Sequence, residues 1–462
     1  MLLTTADRLE LPAGRLVRCI PTPPGPPGGA RVIDVVADAP PSFNQVNHAL
    51  AAGATGGWLC LTLTLPEPLD RPSFAAACAA LMARHEVLRT TTSFRDGAPV
   101  TLSFGDEFDW EIVESDCEGP LADRRRQLRT LVDDATHTVD GPKICFAAID
   151  TGERSTVVIA LDHGLTDAVS MAVLGRDVVQ LYAAARDHDR AVLPPVGSFL
   201  DACRAEAATG GPDAAAAAAA GPDLAAETAG EGFADWHAFF DRNQGGLPRF
   251  PLPDAARAGS GPAAIDLRTV LTADRTATLD RFARDRGARL PACLLAVCAS
   301  AAHAQGLADE FGTLLPVGTR SRDEWREAVG WFVSNGPVEL AAGEPLDRLL
   351  VRAQQQVERA QRLATLPLSD VLASYARGFA HEGDVGMISY VDYRRVPGHE
   401  LHERHAVTQA SPDAPTTDVQ LWWVRDDSGL ALRARLPDTA QARSIVGGWL
   451  DEVERTLRAL TE

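Results

Sequence analysis

Between Ser155 and Tyr182 the chain changes its hydrophobic period within a few residues. Ser155 to Leu161 (STVVIAL) is β-branched and apolar at odd and even positions alike, the pattern of a strand covered on both faces. Side chains alternate along a strand, so Val157, Ile159, Leu161 and His163 share one face and Val158, Ala160 and Asp162 the other. Gly164 then permits a sharp turn. Beyond it Met171, Leu174, Val178 and Leu181 recur at helical spacing, which predicts a helix with Thr166 as its N-cap. Running that stripe back one turn puts Asp167 on the inward face. The helix dipole favours a carboxylate there by only about 0.3–1 kcal/mol. Losing the partner of a buried charge costs roughly 3–5 kcal/mol, so Asp167 is expected to pair with an arginine from the second lobe.

The same reading predicts strands at Trp58–Leu65, Val87–Phe94, Val100–Phe104, Trp110–Val113 and Ile144–Ile149, with helices at Ser73–Arg84 and about Leu121–Ala135. Pro21 to Gly29 (PTPPGPPGG) is a loop or arm. Ala205 to Gly232 is rich in Ala and Gly and offers little to bury, so it reads as a linker, helical in part at its alanine run. Periodicity then resumes. Strands are expected at Ile265–Leu271, Thr313–Val317, Val333–Leu340, Gly386–Val391, Asp418–Val424 and Leu430–Leu436, and helices at Asp274–Arg286, Pro291–Gln305 and Thr439–Leu460. Alternating strands and helices on both sides of a linker predict an α/β fold of two sandwich lobes, 1–195 and 263–462, joined by 196–262.

A chain of 462 residues fits two such lobes. Hydrophobic residues make up 45% and charged residues 23%, which excludes wholesale disorder. The net charge of -19 repels phosphate backbones and anionic lipid, so neither nucleic acid nor a membrane is expected as a partner. No apolar run approaches a bilayer span, and the start carries no secretory signal pattern. Eight scattered cysteines without a C-x-x-C pair read as reduced buried thiols, and a cytoplasmic location is the default expectation.

Local pattern leaves His163 with two readings. It is either a satisfied core histidine or a group presented at the rim of a sheet, where strand-to-helix corners place side chains. HELHERH (His399 to His405) contains metal-ligand types, but a solvated polar loop is the expectation and no metal is assigned. Arg124, Arg125, Arg126 and Arg129 form a basic run in an acidic protein, read as a solvated helix face or a docking surface for an acidic partner. No G-x-S-x-G elbow, P-loop or dinucleotide fingerprint occurs.

The corner itself, Asp162-His163-Gly164-Leu165-Thr166-Asp167-Ala168, resembles the H-H-x-x-x-D-G signature of the condensation domains of nonribosomal peptide synthetases. The second histidine and the aspartate match. Asp162 stands for the first histidine and Ala168 for the glycine. Other blocks follow in the family's order: Ser42-Phe43-Asn44-Gln45, then Arg84-His85-Glu86-Val87-Leu88-Arg89-Thr90, Gly318-Thr319-Arg320, Val329 to Asn335 (VGWFVSN), and Ile388 to Arg395 (ISYVDYRR). Together they span about Ser42 to Arg395.

The resemblance implies two chloramphenicol-acetyltransferase-like lobes in a V with a channel between them. It implies a free-standing acyltransferase that takes an acyl or aminoacyl group from the phosphopantetheine thioester of an acyl or peptidyl carrier protein. The acceptor is an amine or hydroxyl, on a small molecule or a second carrier protein. No bound cofactor is implied. By the same resemblance His163 is the general base or positioning residue, and Asp167 is structural and pairs with Arg320. Single-histidine H-x-x-x-D relatives exist among the superfamily's O-acyltransferases, so the chemistry does not need two histidines. Asp162 points away from His163 on the strand reading and is not expected to orient it. Two alternatives stand beside this reading. One is a silent condensation-like domain that recruits a carrier protein or tailoring enzyme; the other is an acyltransferase using soluble acyl-CoA.

Overall fold

The computed structural model describes residues 2–24, 34–51, 57–138, 141–209, 222–259 and 261–462. They fall into two compact units that are not contiguous in sequence. Unit 1 takes Met1–Ala208, Arg320–Phe332 and Arg395–Pro412; unit 2 takes Thr209–Thr319, Val333–Arg394 and Asp413–Glu462. The expected division at 195 and 263 is therefore crossed twice, because two segments of the second half pack into the first unit. Among the described residues no single helix is long and apolar enough to cross a membrane.

Elements are numbered in chain order. The described strands are β1 (Leu2–Thr5), β2 (Gly14–Thr22), β3 (Asp34–Val35), β4 (Trp58–Leu65), β5 (Thr90–Arg95), β6 (Ala98–Ser103), β7 (Asp109–Cys117), β8 (Ile144–Asp150) and β9 (Ser155–Asp162). They continue with β10 (Ala264–Thr272), β11 (Glu310–Gly318), β12 (Val333–Ala341), β13 (Met387–Asp392), β14 (Thr408–Ser411), β15 (Gln420–Asp426) and β16 (Gly429–Leu436). The helices of unit 1 are α1 (Phe43–Ala51), α2 (Arg71–Arg84), α3 (Leu121–Thr136), α4 (Ala168–Arg186) and α5 (Phe199–Thr209), the last ending at the unit boundary. Those of unit 2 are α6 (Pro222–Arg242), α7 (Asp254–Arg257), α8 (Ala273–Asp285), α9 (Leu290–Ala304), α10 (Leu346–Leu363), α11 (Leu368–Ala373) and α12 (Ala440–Ala459).

Unit 1 is built on a seven-stranded sheet of order β1-β14-β4-β9-β8-β2-β7. Its central strand is β9, buried at every position, as its doubly apolar pattern requires. On one face Val158 and Ala160 join a core with Leu128 and Val132 of α3. On the other face α4 lies so close that a Cβ on Gly175 would stand 2.9 Å from Leu61 of β4. The strand β14 arrives from the far end of the sequence and pairs with β1 and β4. A small sheet, β3-β6-β5, completes the unit.

Unit 2 holds a six-stranded sheet, β10-β16-β15-β13-β11-β12. Its core centres on α9, apolar nearly all round and buried from Leu290 to Ala302 at almost every residue, as expected of a helix enclosed by its neighbours. On α10 Leu349, Leu350, Ala353, Val357, Ala360 and Leu363 form one buried stripe. That helix can approach β12 because residue 336 is glycine; a Cβ there would stand 2.2 Å from the Ala360 carbonyl oxygen.

Most expected elements lie within a few residues of their predicted bounds. The expected linker 196–262 differs: its described flanks are α5 and α6, and α7 follows. Its alanine run lies outside the described residues. Pro21 and Thr22 belong to β2, paired with Trp110 and Asp109, while residues 25–29 of the expected arm are also outside the described set.

Candidate functional site

The strand β9 ends at Asp162, and His163–Leu165 form one 3-10 turn before α4. The His163 backbone N–H donates to the Gly57 carbonyl at 2.8 Å, which ties the corner to the start of β4. Its ring nitrogen Nδ1 lies 3.1 Å from the Thr166 carbonyl oxygen. A carbonyl only accepts, so Nδ1 carries the proton and Nε2 of the neutral ring is left as the basic nitrogen. Trp331 stacks on the imidazole, with centroids 4.1 Å apart and planes inclined by 24°. Burial, with the His48 ring beside it, holds the His163 pKa below the ordinary histidine value. The ring is therefore neutral at neutral pH.

Asp167, rather than Thr166, caps α4, and its Oδ1 accepts from the Ser170 N–H at 2.8 Å. Thr166 is extended and carries the carbonyl that holds His163. Arg320 grips the same carboxylate with both terminal nitrogens, Nη1 to Oδ2 at 2.8 Å and Nη2 to Oδ1 at 3.1 Å. Arg320 comes from the second half of the chain, yet it packs within unit 1. The Phe332 N–H donates to Asp167 Oδ2 at 3.0 Å. The Ser170 hydroxyl accepts from the Gly330 N–H at 3.0 Å and from Arg320 at 2.7 Å. The guanidinium also covers the Phe332 ring at 4.4 Å. The buried aspartate is thus fully satisfied, as its burial demands. Its consequence for the site is geometric: it anchors residues 320 and 332 on the head of α4 and so delivers Trp331 to the face of His163.

Asp162 is the last residue of β9, and His163 already belongs to the 3-10 turn, so strand alternation does not relate the two side chains. The partner of Asp162 was not foreseen: Nε2 of His48, on α1, lies 3.1 Å from both carboxylate oxygens. Oδ1 also accepts from the Gly164 N–H at 2.9 Å. Burial acts to raise the Asp162 pKa, but hydrogen bonding and attraction from His48 and attraction from Lys143 outweigh it and hold it below the ordinary carboxylate value. Gly164 has no left-handed backbone. It is needed for space, since a Cβ there would stand 2.8 Å from Asp162 Oδ1. Ala168 is the first residue of α4, where a helical φ suits alanine.

One signal for His48 was present in the sequence. Ser42 and Gln45 form a capping box, with the Ser42 N–H donating to Gln45 Oε1 at 3.0 Å and the Gln45 N–H reaching the Ser42 hydroxyl at 3.4 Å. That box starts α1, and His48 lies three residues beyond Gln45 on the same helix face. Gln45 Nε2 donates to the Gly164 carbonyl at 2.8 Å. Both side chains of that face therefore meet the corner.

The remaining sequence candidates lie elsewhere. Arg84 and His85 share the buried Asp177 of α4 at 2.8 and 3.0 Å, so that block fastens α2 to α4. The basic run divides: Arg124 and Arg125 donate to the Leu11 and Leu9 carbonyls and hold down the N-terminal segment, whereas Arg126 is exposed beside Asp123 and Arg129 lies partly exposed beside Asp133. The HELHERH stretch is solvated only in part: His399, Glu400, Glu403 and Arg404 are exposed, while His402 and His405 are buried and His405 Nδ1 donates to the Thr64 carbonyl at 2.9 Å. Among the described residues no three His, Cys, Asp or Glu side chains stand together as a metal site. All eight cysteines are buried and free, and burial pushes the Cys145 thiol up to about 12.

No protein-family model matches the chain. Acyltransferase PapA3 of Mycobacterium tuberculosis is 22% identical over 443 residues, covering 92% of this chain and 90% of that protein. Among solved structures, the PapA2 acyl transferase superposes with a TM-score of 0.86 at 19% identity, over 100% of both chains. The first condensation domain of the calcium-dependent antibiotic synthetase superposes with a TM-score of 0.65 at 17% identity, covering 91% of this chain and 96% of that domain. The chain has the mixed α/β fold of condensation domains and of the free-standing acyltransferases similar to them.

Proposed function

From a condensation-domain fold and a corner that holds one neutral imidazole, we propose that the protein is a condensation-type acyltransferase of natural-product biosynthesis with His163 as its base. The acyl group comes from the phosphopantetheine thioester of a carrier protein and passes to an amine or hydroxyl. As the acceptor attacks the thioester carbonyl, its proton moves to His163 Nε2 and a new C–O or C–N bond forms. Collapse of the tetrahedral intermediate breaks the C–S bond, and the proton leaves with the thiol. No covalent enzyme intermediate and no resident cofactor are invoked. General base assistance of this kind is worth about 10²–10⁴-fold.

The single observation that carries the reading is the His163 ring, whose Nδ1–H is committed to the Thr166 carbonyl and whose face is covered by Trp331. Such a ring has one defined tautomer and a depressed pKa, the state a base needs near neutral pH. The test is intact-mass analysis of an acylated carrier protein incubated with the protein and a panel of amine and alcohol acceptors. His163→Ala is expected to lower transfer at least 100-fold. Undiminished transfer by that variant would overturn the assignment, and transfer from soluble acyl-CoA but not from the carrier would overturn the choice of donor. No transfer by either route, with carrier binding retained in His163→Ala, would favour a silent recruiting domain.

A further inference from the structure

We infer that His48 is a positioning residue for His163, acting through Asp162: it takes the Asp162 carboxylate in a hydrogen bond and keeps that charge from the base. The inference rests on the reading of His163 as the base, but its central measurement does not depend on turnover.

Asp162 precedes His163 in the chain and is itself buried. A carboxylate so placed favours a proton on the neighbouring imidazole, and a protonated ring is no base. The structure disposes of this charge in a specific way. Both carboxylate oxygens lie 3.1 Å from His48 Nε2, Oδ1 also takes the Gly164 N–H, and Lys143 Nζ stands 4.0 Å from Oδ2. The His48 and His163 rings are held apart, with centroids 6.2 Å distant, and each also meets Trp331.

The slot for the His48 ring is built by two glycines. A Cβ on Gly57 would stand 3.2 Å from His48 Cε1, and one on Gly164 would stand 3.4 Å from Cδ2. The charged and titratable groups here are therefore His48 of α1, Asp162 of β9, Lys143 ahead of β8 and His163 itself. The Asp167–Arg320 pair is closed on itself at the head of α4. The direct hydrogen bond makes His48 the closest of these groups to Asp162 and leaves Lys143 at the limit of an ion pair. A purely structural pin from α1 to the corner would duplicate the bond that Gln45 already makes to Gly164.

The experiment is an NMR titration of the full chain carrying 13Cε1-labelled histidine, with His163 assigned by its disappearance in His163→Ala. In His48→Leu the His163 titration is expected to move up by as much as about two pH units, the scale of a unit charge roughly 6 Å away at an effective dielectric near 20. In Asp162→Asn it is expected to move down, and the double variant is expected to return close to wild type. If His48→Leu fails to fold, Asp162→Asn alone decides. A His163 titration that stays within about 0.2 pH unit in every folded variant overturns the inference. In turnover, the acid limb of kcat/KM is expected to follow the NMR value at nearly constant KM. Should His163→Ala retain full turnover, the base assignment fails while the NMR result on His48 still stands.

Discussion

Removing the Asp167 carboxylate should loosen the corner far more than a single surface ion pair would. Asp167 accepts from Ser170 N at 2.8 Å, Phe332 N at 3.0 Å and Arg320 at 2.8 and 3.1 Å. Asp167→Ala removes a helix cap, worth about 1 kcal/mol, and strands a buried guanidinium, worth roughly 3–5 kcal/mol. The two overlap, so a loss of about 4 kcal/mol is expected rather than their sum. Hydrogen exchange read by mass spectrometry reports it locally. Peptides covering residues 166–172 and 328–333 should exchange about three orders of magnitude faster than in the wild type, while unit 2 peptides keep their rates. Asp167→Asn keeps the cap but sets an amide nitrogen against donors, and should lose about 2–3 kcal/mol. Asp167→Ala with Arg320→Met should lose less than Asp167→Ala alone, because no charge is left unpaired. Less than tenfold acceleration in Asp167→Ala, or simple additivity with Arg320→Met, would refute the reasoning.

Three further outcomes follow from the same geometry. The His163 pKa is depressed by burial and by His48, so the acid limb of kcat/KM should fall below the ordinary value of about 6.5; a limb above that value contradicts the placement. Trp331→Ala uncovers the ring and should move that limb up toward 6.5 and cost about 1 kcal/mol of ring contact, readable as a parallel shift in the NMR titration. Burial acts to raise the pKa of Asp177, but hydrogen bonding to His85 and the charge of Arg176 outweigh it and hold it low. Its stabilising contribution is whole above about pH 4 and is lost as pH falls through its lower folded value. Acid unfolding followed by circular dichroism should therefore start at higher pH in Arg176→Met, where part of that compensation is gone.

Legibility differed between the parts of the site for a physical reason. The strand, the turn and the apolar stripe of α4 are local patterns, and Ser155 to Tyr182 displays them without help from the rest of the chain. Thr166 was a reasonable cap, and the error of one residue there is instructive. Thr166 and Asp167 are both good caps, and the choice fell to Asp167 because Arg320 and the Phe332 N–H fix its carboxylate. Half of the basic run on α3 departs from the expected solvated face, because Arg124 and Arg125 meet the Leu11 and Leu9 carbonyls, which composition does not show. β14 is only four residues long, too short for a period to be visible, and exists because β1 and β4 supply its hydrogen-bond partners.

By itself, then, the order of residues determined the doubly buried strand, the corner and the presence of an imidazole and two carboxylates around it. Those follow from alternation, helical spacing and capping preference, all of which act within one or two turns of chain. Tertiary structure decided which groups those three side chains meet, and only the Asp167–Arg320 pair was reached beforehand, through family resemblance and not through local pattern. His48 reaches Asp162 across 114 positions and Arg320 reaches Asp167 across 153. Hydrogen bonds of that separation depend on how α1 and the segment 320–332 meet the corner between β9 and α4, and no local pattern records such packing.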